Sequence, residues 1–323
     1  MAASRNKPST DLSKRVGAFL AARLAPDGLL SVGLSGGCDS VVLLHALVAL
    51  GLGKRLQAIH IHHGLSPNAD AWADFCADYC RRLGVSLVTR RVAVDTTAGL
   101  GLEAAARNAR YAAFGELAGD TLLLAHHRGD QAETVLFNLL RGAGVTGAAG
   151  IPAERRFGQH RLLRPLLDVS RGEIEAYARH VGLAWIDDES NGDTAITRNF
   201  LRHQTLVALG QRFPAAESAL ALAASHFAEA GALLDELAEL DWQRVAEGST
   251  ARLGDLRQLS VPRVKNLLRH RLRLLGWQVP VASRLDEFVR QVVTAGPDRH
   301  PELVLPDGKM RVAQRRLHWL SGK

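Results

Sequence analysis

Cysteine is scarce in this chain, and its scarcity excludes several chemistries. Only Cys38, Cys76 and Cys80 occur in 323 residues. An odd, sparse set argues against a disulfide framework and for a reducing compartment. No Cys-x-x-Cys is present, so the ligand or redox pair that this spacing supplies is missing. Cys76 and Cys80 share a face of an expected helix, but no second ligand pair follows at zinc spacing, so both read as small buried residues. Also missing is any run of the roughly 18–20 apolar residues that a membrane span needs. The opening MAASRNKPST has neither an apolar h-region nor a twin arginine. The expectation is a cytoplasmic protein with no membrane partner. Internal repeats and low-complexity tracts are absent too.

What is present points to two domains on size alone. The hydrophobic fraction, 47%, is ample for packed cores. Lys and Arg number 40 against 33 Asp and Glu, a net +7, which favours polyanionic partners.

The first two-thirds alternates short apolar runs with helical patterns. Strands are expected at 29–34, 56–61, 86–94 and 121–125, and helices at 41–50, 69–83, 102–117 and 131–140. That order implies parallel strands with crossover helices, an α/β Rossmann-like domain. Ser170-Arg171-Gly172-Glu173 is a capping box opening a helix through Val181. From about Phe200 the character changes. Residues 215–240 read as one long Ala/Leu/Glu-rich helix. Further helices are expected from Ser260 to Leu275 and from Ser283 to Thr294. Apolar runs 303–305 and 312–320 flank Pro306-Asp307-Gly308, a hairpin signal. The expected domains are 1–210, catalytic, and 211–323, mainly helical and ending in a β-hairpin.

Residues 31–45 read SVGLSGGCDSVVLLH. A strand, a glycine-rich turn and a helix start present free backbone N–H groups to an anion. Gly36 and Gly37 permit close approach, while Ser35 and Ser40 add hydroxyl donors around Cys38. Asp39 cannot bind phosphate directly, but it suits a Mg²⁺ that bridges carboxylate and phosphate oxygens. The bland alternative is a tight turn with Asp39 or Ser40 as a helix cap. A Walker A loop would carry lysine for a transferable γ-phosphate; here there is none.

Ser-Gly-Gly-x-Asp-Ser after an apolar strand resembles the PP-loop of the N-type ATP pyrophosphatases. In that superfamily the loop holds the β,γ-pyrophosphate and ATP is cleaved between α and β, so no γ-phosphate need be activated. Four further stretches resemble the bacterial tRNA(Ile)-lysidine synthases. They are Ile59-His60-Ile61-His62-His63-Gly64-Leu65, Gly101-Leu102-Glu103 through Arg107-Asn108-Ala109-Arg110-Tyr111, Ala125-His126-His127-Arg128-Gly129-Asp130-Gln131-Ala132-Glu133-Thr134 running on to Asn138 and Arg141-Gly142, and Asp188-Glu189-Ser190-Asn191 followed by Arg198-Asn199 and Arg202. Five motifs in order span residues 35–202. Beyond 216 the likeness is looser, a basic helical domain with a Leu-Pro-Asp-Gly turn.

The resemblance implies a ligase that uses ATP to adenylate the C2 oxygen of the wobble cytidine in tRNA(Ile) with a CAU anticodon. The amine of free L-lysine then displaces AMP. Asp39 is the implied Mg²⁺ ligand, and Ser35, Gly36, Gly37, Cys38, Asp39, Ser40 and His60 the implied ATP contacts. Arg107 and His126 are candidate cationic donors to the α-phosphate. Glu103, one helical turn before Arg107, would equally suit an ion pair with it. Asp130 and Glu133 share a helical face near a strand's C-terminal end, where ligands of open α/β sheets sit. They would hold or deprotonate the lysine ammonium, or else form an ordinary acidic first turn. His60, His62, His63, His126 and His127 invite a metal-cluster reading, which is set below a packing role.

Arg141, Arg198 and Arg202 are candidate tRNA phosphate contacts. Residues 256–285 hold seven Lys or Arg and no acid; Arg269 and Arg273, on one helical face, are the candidate RNA contacts there. The chain departs from the family pattern at His62, Ser66, Gly129 and Ile196, usually Asp or Asn, Arg, an acid or Asn, and an aromatic. Many members carry a further C-terminal domain, and a homodimer stays open. The rivals are a PP-loop tRNA thiolase, which needs a sulfur carrier, an amidotransferase-type synthetase, and a non-enzymatic adenine-nucleotide sensor.

Overall fold

A computed structural model describes residues 8–94, 101–189, 197–296 and 298–322. Ser190, Asn191 and Ile196 of the motif series lie outside them. Two compact units divide the chain, Met1–His226 and Phe227–Lys323.

In the first unit the elements run α1 (Pro8–Ala21), β1 (Leu30–Gly33), α2 (Cys38–Ala49), β2 (Leu56–His62), α3 (Ala69–Leu83), β3 (Ser86–Arg91), α4 (Leu102–Leu117), β4 (Thr121–Leu123), α5 (Arg128–Leu140), α6 (Val145–Ala148), β5 (Glu154–Phe157), β6 (His160–Leu163), α7 (Arg171–His180), α8 (Thr197–Phe200), a π-helical turn (Leu201–Thr205) and α9 (Leu206–Arg212). Helix α10 (Ala216–Val245) carries the chain across the division. The sheet order is β3-β2-β1-β4-β6-β5. All neighbours are parallel except β5 with β6. The alternation of apolar runs and helices therefore folds as expected, and the expected bounds of α3 and α4 match. The β5–β6 hairpin was not expected: Glu154–Phe157 is charged and exposed, with no apolar run to mark it.

Helix α2 is apolar nearly all round because it is buried on both sides. Val41, Val42, Leu43, Leu44, Ala46 and Leu47 are all inaccessible to solvent. They pack with Val16 and Leu20 of α1 and Ile174 and Tyr177 of α7. Burying six such side chains contributes on the order of 10 kcal/mol of transfer free energy, which anchors the α2 N-terminus against β1. Strand order reverses between β1 and β4. That is the switch point of an open α/β sheet, where a crevice forms beyond the strands' carboxyl ends.

The second unit holds the rest of α10, β7 (Ala246–Glu247), β8 (Thr250–Arg252), α11 (Leu253–Leu256), α12 (Val261–Leu274), α13 (Ala282–Thr294), β9 (Glu302–Leu305), β10 (Gly308–Ala313) and β11 (Arg316–Ser321). Leu267, Leu268, Leu285, Val289 and Met310 form its core. The expected terminal hairpin is part of a five-stranded antiparallel sheet, order β7-β8-β11-β10-β9. The run 312–320 is two strands, not one. Gln314 and Arg315 turn the chain at φ 51° and 59°, conformations that glycine or asparagine would have signalled and these residues do not.

Candidate active site

The Ser35–Ser40 loop leaves β1 at the switch point, and the His126–Asp130 turn leaves β4 beside it. Gly36 has φ +89°, and a Cβ there would lie 2.5 Å from Ile186 Cδ1 and 3.3 Å from Cys76 Sγ. Its carbonyl accepts from Ile186 N at 2.9 Å. Gly37 is the N-cap of α2 with no side-chain cap, so Cys38, Asp39 and Ser40 form the first turn. Ser40 Oγ donates to Gly37 O at 2.9 Å, and Ser35 N donates to Ser40 Oγ at 3.2 Å. The hydroxyls thus brace the loop from within, and the first turn of α2 has no side-chain cap of its own.

Asp39 does not cap the helix. Its Oδ2 accepts from Arg171 Nη1 at 2.7 Å, and its Oδ1 is buried without a partner. Burial raises its pKa above the ordinary carboxylate value, against the opposing pull of His127 and Arg171. Arg171 also donates to Glu175 at 2.9 Å. Neither residue was singled out from the sequence beyond the capping box, which forms as expected between Ser170 and Glu173.

His127 is the second residue that sequence reasoning underused. Its ring Nδ1 accepts from Gly129 N at 3.0 Å, and its backbone N donates to Asp130 Oδ2 at 2.8 Å. This is a capping box at the start of α5. A Cβ on Gly129 would lie 2.7 Å from His127 Cε1, so the missing polar side chain at 129 makes room for the imidazole.

Asp130 and Glu133 converge as expected, and Arg202 joins them. Arg202 Nε donates to Glu133 Oε1 at 2.5 Å, and Nη2 reaches Glu133 Oε2 at 3.0 Å and Asp130 Oδ1 at 3.2 Å. Arg202 lies in the π-helical turn. The sequence reading set it toward tRNA phosphate; the structure gives it to the acids. Burial raises the Glu133 pKa, only partly offset by Arg202. Burial also pushes Asp130 upward, but His127, His126 and Arg202 outweigh it and hold Asp130 below the ordinary range.

The alternative role of Arg107, an ion pair with Glu103, is not formed among the described residues. Glu103 meets Arg198 at 3.4 Å, and Arg107 lies over the Tyr111 ring, 5.0 Å from its centroid. Both contacts follow from reach: Tyr111 is also one turn from Arg107, on the inward side. His126 is not a cation. Burial lowers its pKa to about 3, with Arg164, Arg107 and Arg110 adding to the shift against Asp130. His60 is buried and lies at 2.9 Å through Nδ1 from Leu34 O. His62 lies 3.1 Å from Asp70. Ser66, where the family usually has Arg, donates to Glu189 Oε1 at 2.8 Å. Among the described residues no three or more His, Cys, Asp or Glu side chains converge as a metal cluster. The three thiols are buried, and burial pushes Cys38 up to about 11, Cys76 to about 12 and Cys80 to about 11. None is a thiolate at neutral pH.

Arg141 caps α5 and lies 5.0 Å from the Phe137 ring centroid. In the second unit the basic stretch is less open than its sequence suggested. Arg263 pairs with buried Asp241, Arg273 with Asp235, and Lys265 with Asp286 at 2.9 Å. The acids come from α10 and α13, outside the acid-free window. Arg269 makes no ion pair among the described residues, so the two candidates on this face differ.

The comparisons with known proteins agree with this geometry. A PP-loop domain matches residues 8–209 and the TilS substrate binding domain matches residues 252–318. The tRNA(Ile)-lysidine synthase of Alkalilimnicola ehrlichii is 44% identical over 317 residues, covering 97% of this chain and 71% of that protein. That of Aromatoleum aromaticum is 49% identical over 293 residues, covering 90% and 68%. Among solved structures, the U34-tRNA thiolase NcsA from Methanococcus maripaludis with its 4Fe–4S cluster superposes with a TM-score of 0.57 at 17% identity, covering 70% of this chain and 81% of that one. At that identity it speaks for the fold alone. Because both domains match in order and the likeness runs along nearly the whole chain, the protein belongs to the tRNA(Ile)-lysidine synthases, ATP-binding ligases of the PP-loop family.

Proposed function

We propose that this chain joins lysine to C2 of the wobble cytidine of tRNA(Ile) bearing a CAU anticodon. The route is an adenylated tRNA intermediate, with AMP and pyrophosphate as products. The observation that carries the reading is Asp39 Oδ1, buried and unpartnered in the first turn of α2 beside Gly36 and Gly37. Arg171 meets only Oδ2; a carboxylate there would repel phosphate, and an orphaned buried oxygen is costly. Both facts fit Asp39 as holder of a Mg²⁺. When bound, the ion offsets the charge of the phosphate oxygens.

In the first step the cytidine O2 attacks the α-phosphorus. The bond from that phosphorus to the bridging oxygen breaks, and pyrophosphate leaves with the electron pair. The N–H groups at the α2 N-terminus and the Ser35 hydroxyl hold that leaving group, while Ser40 braces the loop through Gly37 O. Arg107 stabilises the charge on the α-phosphate. In the second step a lysine amine attacks C2, the C2–O2 bond breaks, and AMP departs with that oxygen. The ammonium must lose a proton before it attacks and another after the C–N bond forms. Asp130 and Glu133 bind it in exchange with Arg202 and accept the proton. Residues 1–210 perform this chemistry and residues 211–323 bind the tRNA, in the cytoplasm.

Labelled ATP, tRNA(Ile) and lysine test the reading together. AMP and pyrophosphate should form in step with one lysine per tRNA. ADP and phosphate as main products would overturn it, and sulfur incorporation in place of lysine would favour a thiolase.

A further inference from the structure

The two ring nitrogens of His126 have different surroundings. Arg164 Nε donates to His126 Nδ1 at 3.2 Å. A guanidinium offers only donors and keeps its proton in a protein. Nδ1 must therefore be the acceptor, and the ring proton sits on Nε2. An imidazolium would set N–H against N–H. Nε2 itself has no protein partner among the described residues.

Arg164 is held for this contact. It is 2% exposed. Its Nη1 donates to Pro152 O at 2.6 Å, and its backbone N donates to Ala153 O at 2.9 Å. It follows Leu163 at the end of β6, which pairs in register with Leu123 of β4. Adjacent parallel strands thus bring residues 126 and 164 side by side. Among the described residues Arg164 has no carboxylate partner. The Tyr111 phenol also draws on the Arg164 charge, but the Nε–H is directed to the imidazole, and a buried guanidinium with no carboxylate is an expensive choice if packing were its only purpose.

We propose that Arg164 is a positioning residue for the ligase reaction: its Nε–H, seated on the Nδ1 lone pair, fixes His126 as the neutral Nε2–H tautomer, a standing hydrogen-bond donor to an anionic oxygen of the reacting nucleotide. The inference rests on the lysidine synthase reading for the identity of that oxygen. It deepens that reading by removing His126 from the proton acceptors, which leaves Asp130 and Glu133 for the lysine ammonium. The groups around His126 are Asp130 from α5, Arg164 beyond β6, and Arg107 and Arg110 from α4. Burial, helped by the three cations against the opposing pull of Asp130, keeps the ring neutral where an ordinary histidine titrates. A neutral imidazole is a competent electrophile for a developing oxyanion.

The test is ¹⁵N-histidine labelling of the full chain, with long-range ¹H–¹⁵N correlations and His126→Gln for assignment. Wild-type His126 should show the neutral Nε2–H pattern throughout about pH 5 to 8, the window where an unperturbed histidine changes charge. In Arg164→Met the ring should populate both tautomers and titrate within that window. Adenylation of tRNA, assayed without lysine, should slow by about 10–100-fold, the usual loss when an orienting partner is removed, and gain a new pH-dependent limb. Arg164→Lys keeps a donor and a charge and should restore the tautomer and most of the rate. An Nδ1–H or imidazolium pattern in wild type would overturn the proposal. So would an Arg164→Met protein with unchanged tautomer and pH profile. If the Met variant does not fold, the wild-type and Lys spectra decide alone. Failure of the functional reading itself would show differently, as wild-type protein that attaches no lysine to tRNA whatever the tautomer.

Discussion

The Nε2 of His127 lies 3.9 Å from Asp39 Oδ2 and 3.8 Å from Asp130 Oδ2, between the carboxylates that follow β1 and β4. The same ring caps α5 through Nδ1. One side chain therefore closes a helix and separates two acids that would otherwise repel. His127→Ala should lose about 1 kcal/mol from the missing cap and weaken Mg·ATP binding. His127→Asn, a good N-cap, should recover the stability but not the binding. Thermal melts and nucleotide titrations of both variants separate the roles. Full recovery of binding by Asn would reduce His127 to a cap.

Asp130 and Glu133, neighbours on one helix face, should leave opposite marks on stability. The Glu133 pKa is raised in the folded state. Its native form binds the proton more tightly than the unfolded chain, so stability falls as pH climbs from the ordinary Glu value through the raised one. Glu133→Gln fixes the neutral form, and its melting temperature relative to wild type should improve from acidic to neutral pH. Asp130 is depressed; its stabilisation is present above the ordinary Asp value and lost as pH falls through the folded one. Asp130→Asn should therefore be most damaging at neutral pH and converge on wild type in acid. Melts across pH that ran in the same direction for both variants would contradict this assignment.

Much of the first unit could be read from sequence because its signals are local. Apolar runs, helical periodicity and the Gly36-Gly37 turn each declare themselves within a few residues. The pairing of side chains could not be read in that way. Arg171 reaches Asp39 across 132 positions, and Arg202 reaches Glu133 across 69. Glu103 and Arg107 had ideal helical spacing, yet Arg198 and Tyr111 compete better for them. The acid-free window 256–285 misled for the same reason, because Asp235 and Asp241 arrive from α10. The β5–β6 hairpin and the Gln314–Arg315 turn escaped because charged strands and left-handed residues other than glycine carry no compositional mark.

The two loop glycines should respond very differently to substitution. Gly36 combines φ +89° with a Cβ position 2.5 Å from Ile186 Cδ1. Gly36→Ala should cost more than about 1 kcal/mol from the left-handed conformation alone and displace the 185–188 segment. Gly37 has φ −69°, and its nearest neighbour to an added Cβ is Ser35 Oγ at 3.5 Å, an ordinary contact. Gly37→Ala should fold near wild-type stability. Its ATP affinity should fall only as far as the methyl crowds the pyrophosphate. Chemical denaturation and nucleotide binding, measured together, check both. Equal destabilisation by the two would mean that Ile186 does not wall the loop.

The last prediction divides Arg269 from Arg273, which the sequence treats alike. Both lie on one face of α12. Arg273 is committed to Asp235, whose other partner is His270 at 3.1 Å. Arg269 makes no such pair. A free arginine that meets a phosphate releases counterions; one already neutralised by a carboxylate releases few. Arg269→Ala should weaken tRNA binding and flatten the log–log salt slope by about 0.7–0.9, the contribution of one phosphate contact. Arg273→Ala should leave the slope nearly unchanged. Its cost should appear as under about 1 kcal/mol of stability, the range for a half-exposed ion pair. Filter binding across several salt concentrations, with melts of the same proteins, reads both quantities. A slope change for Arg273→Ala equal to that of Arg269→Ala would show that the Asp235 pair opens on binding and that the whole face meets RNA. No change for either would move the tRNA contacts of this reading to Arg141 and Arg198.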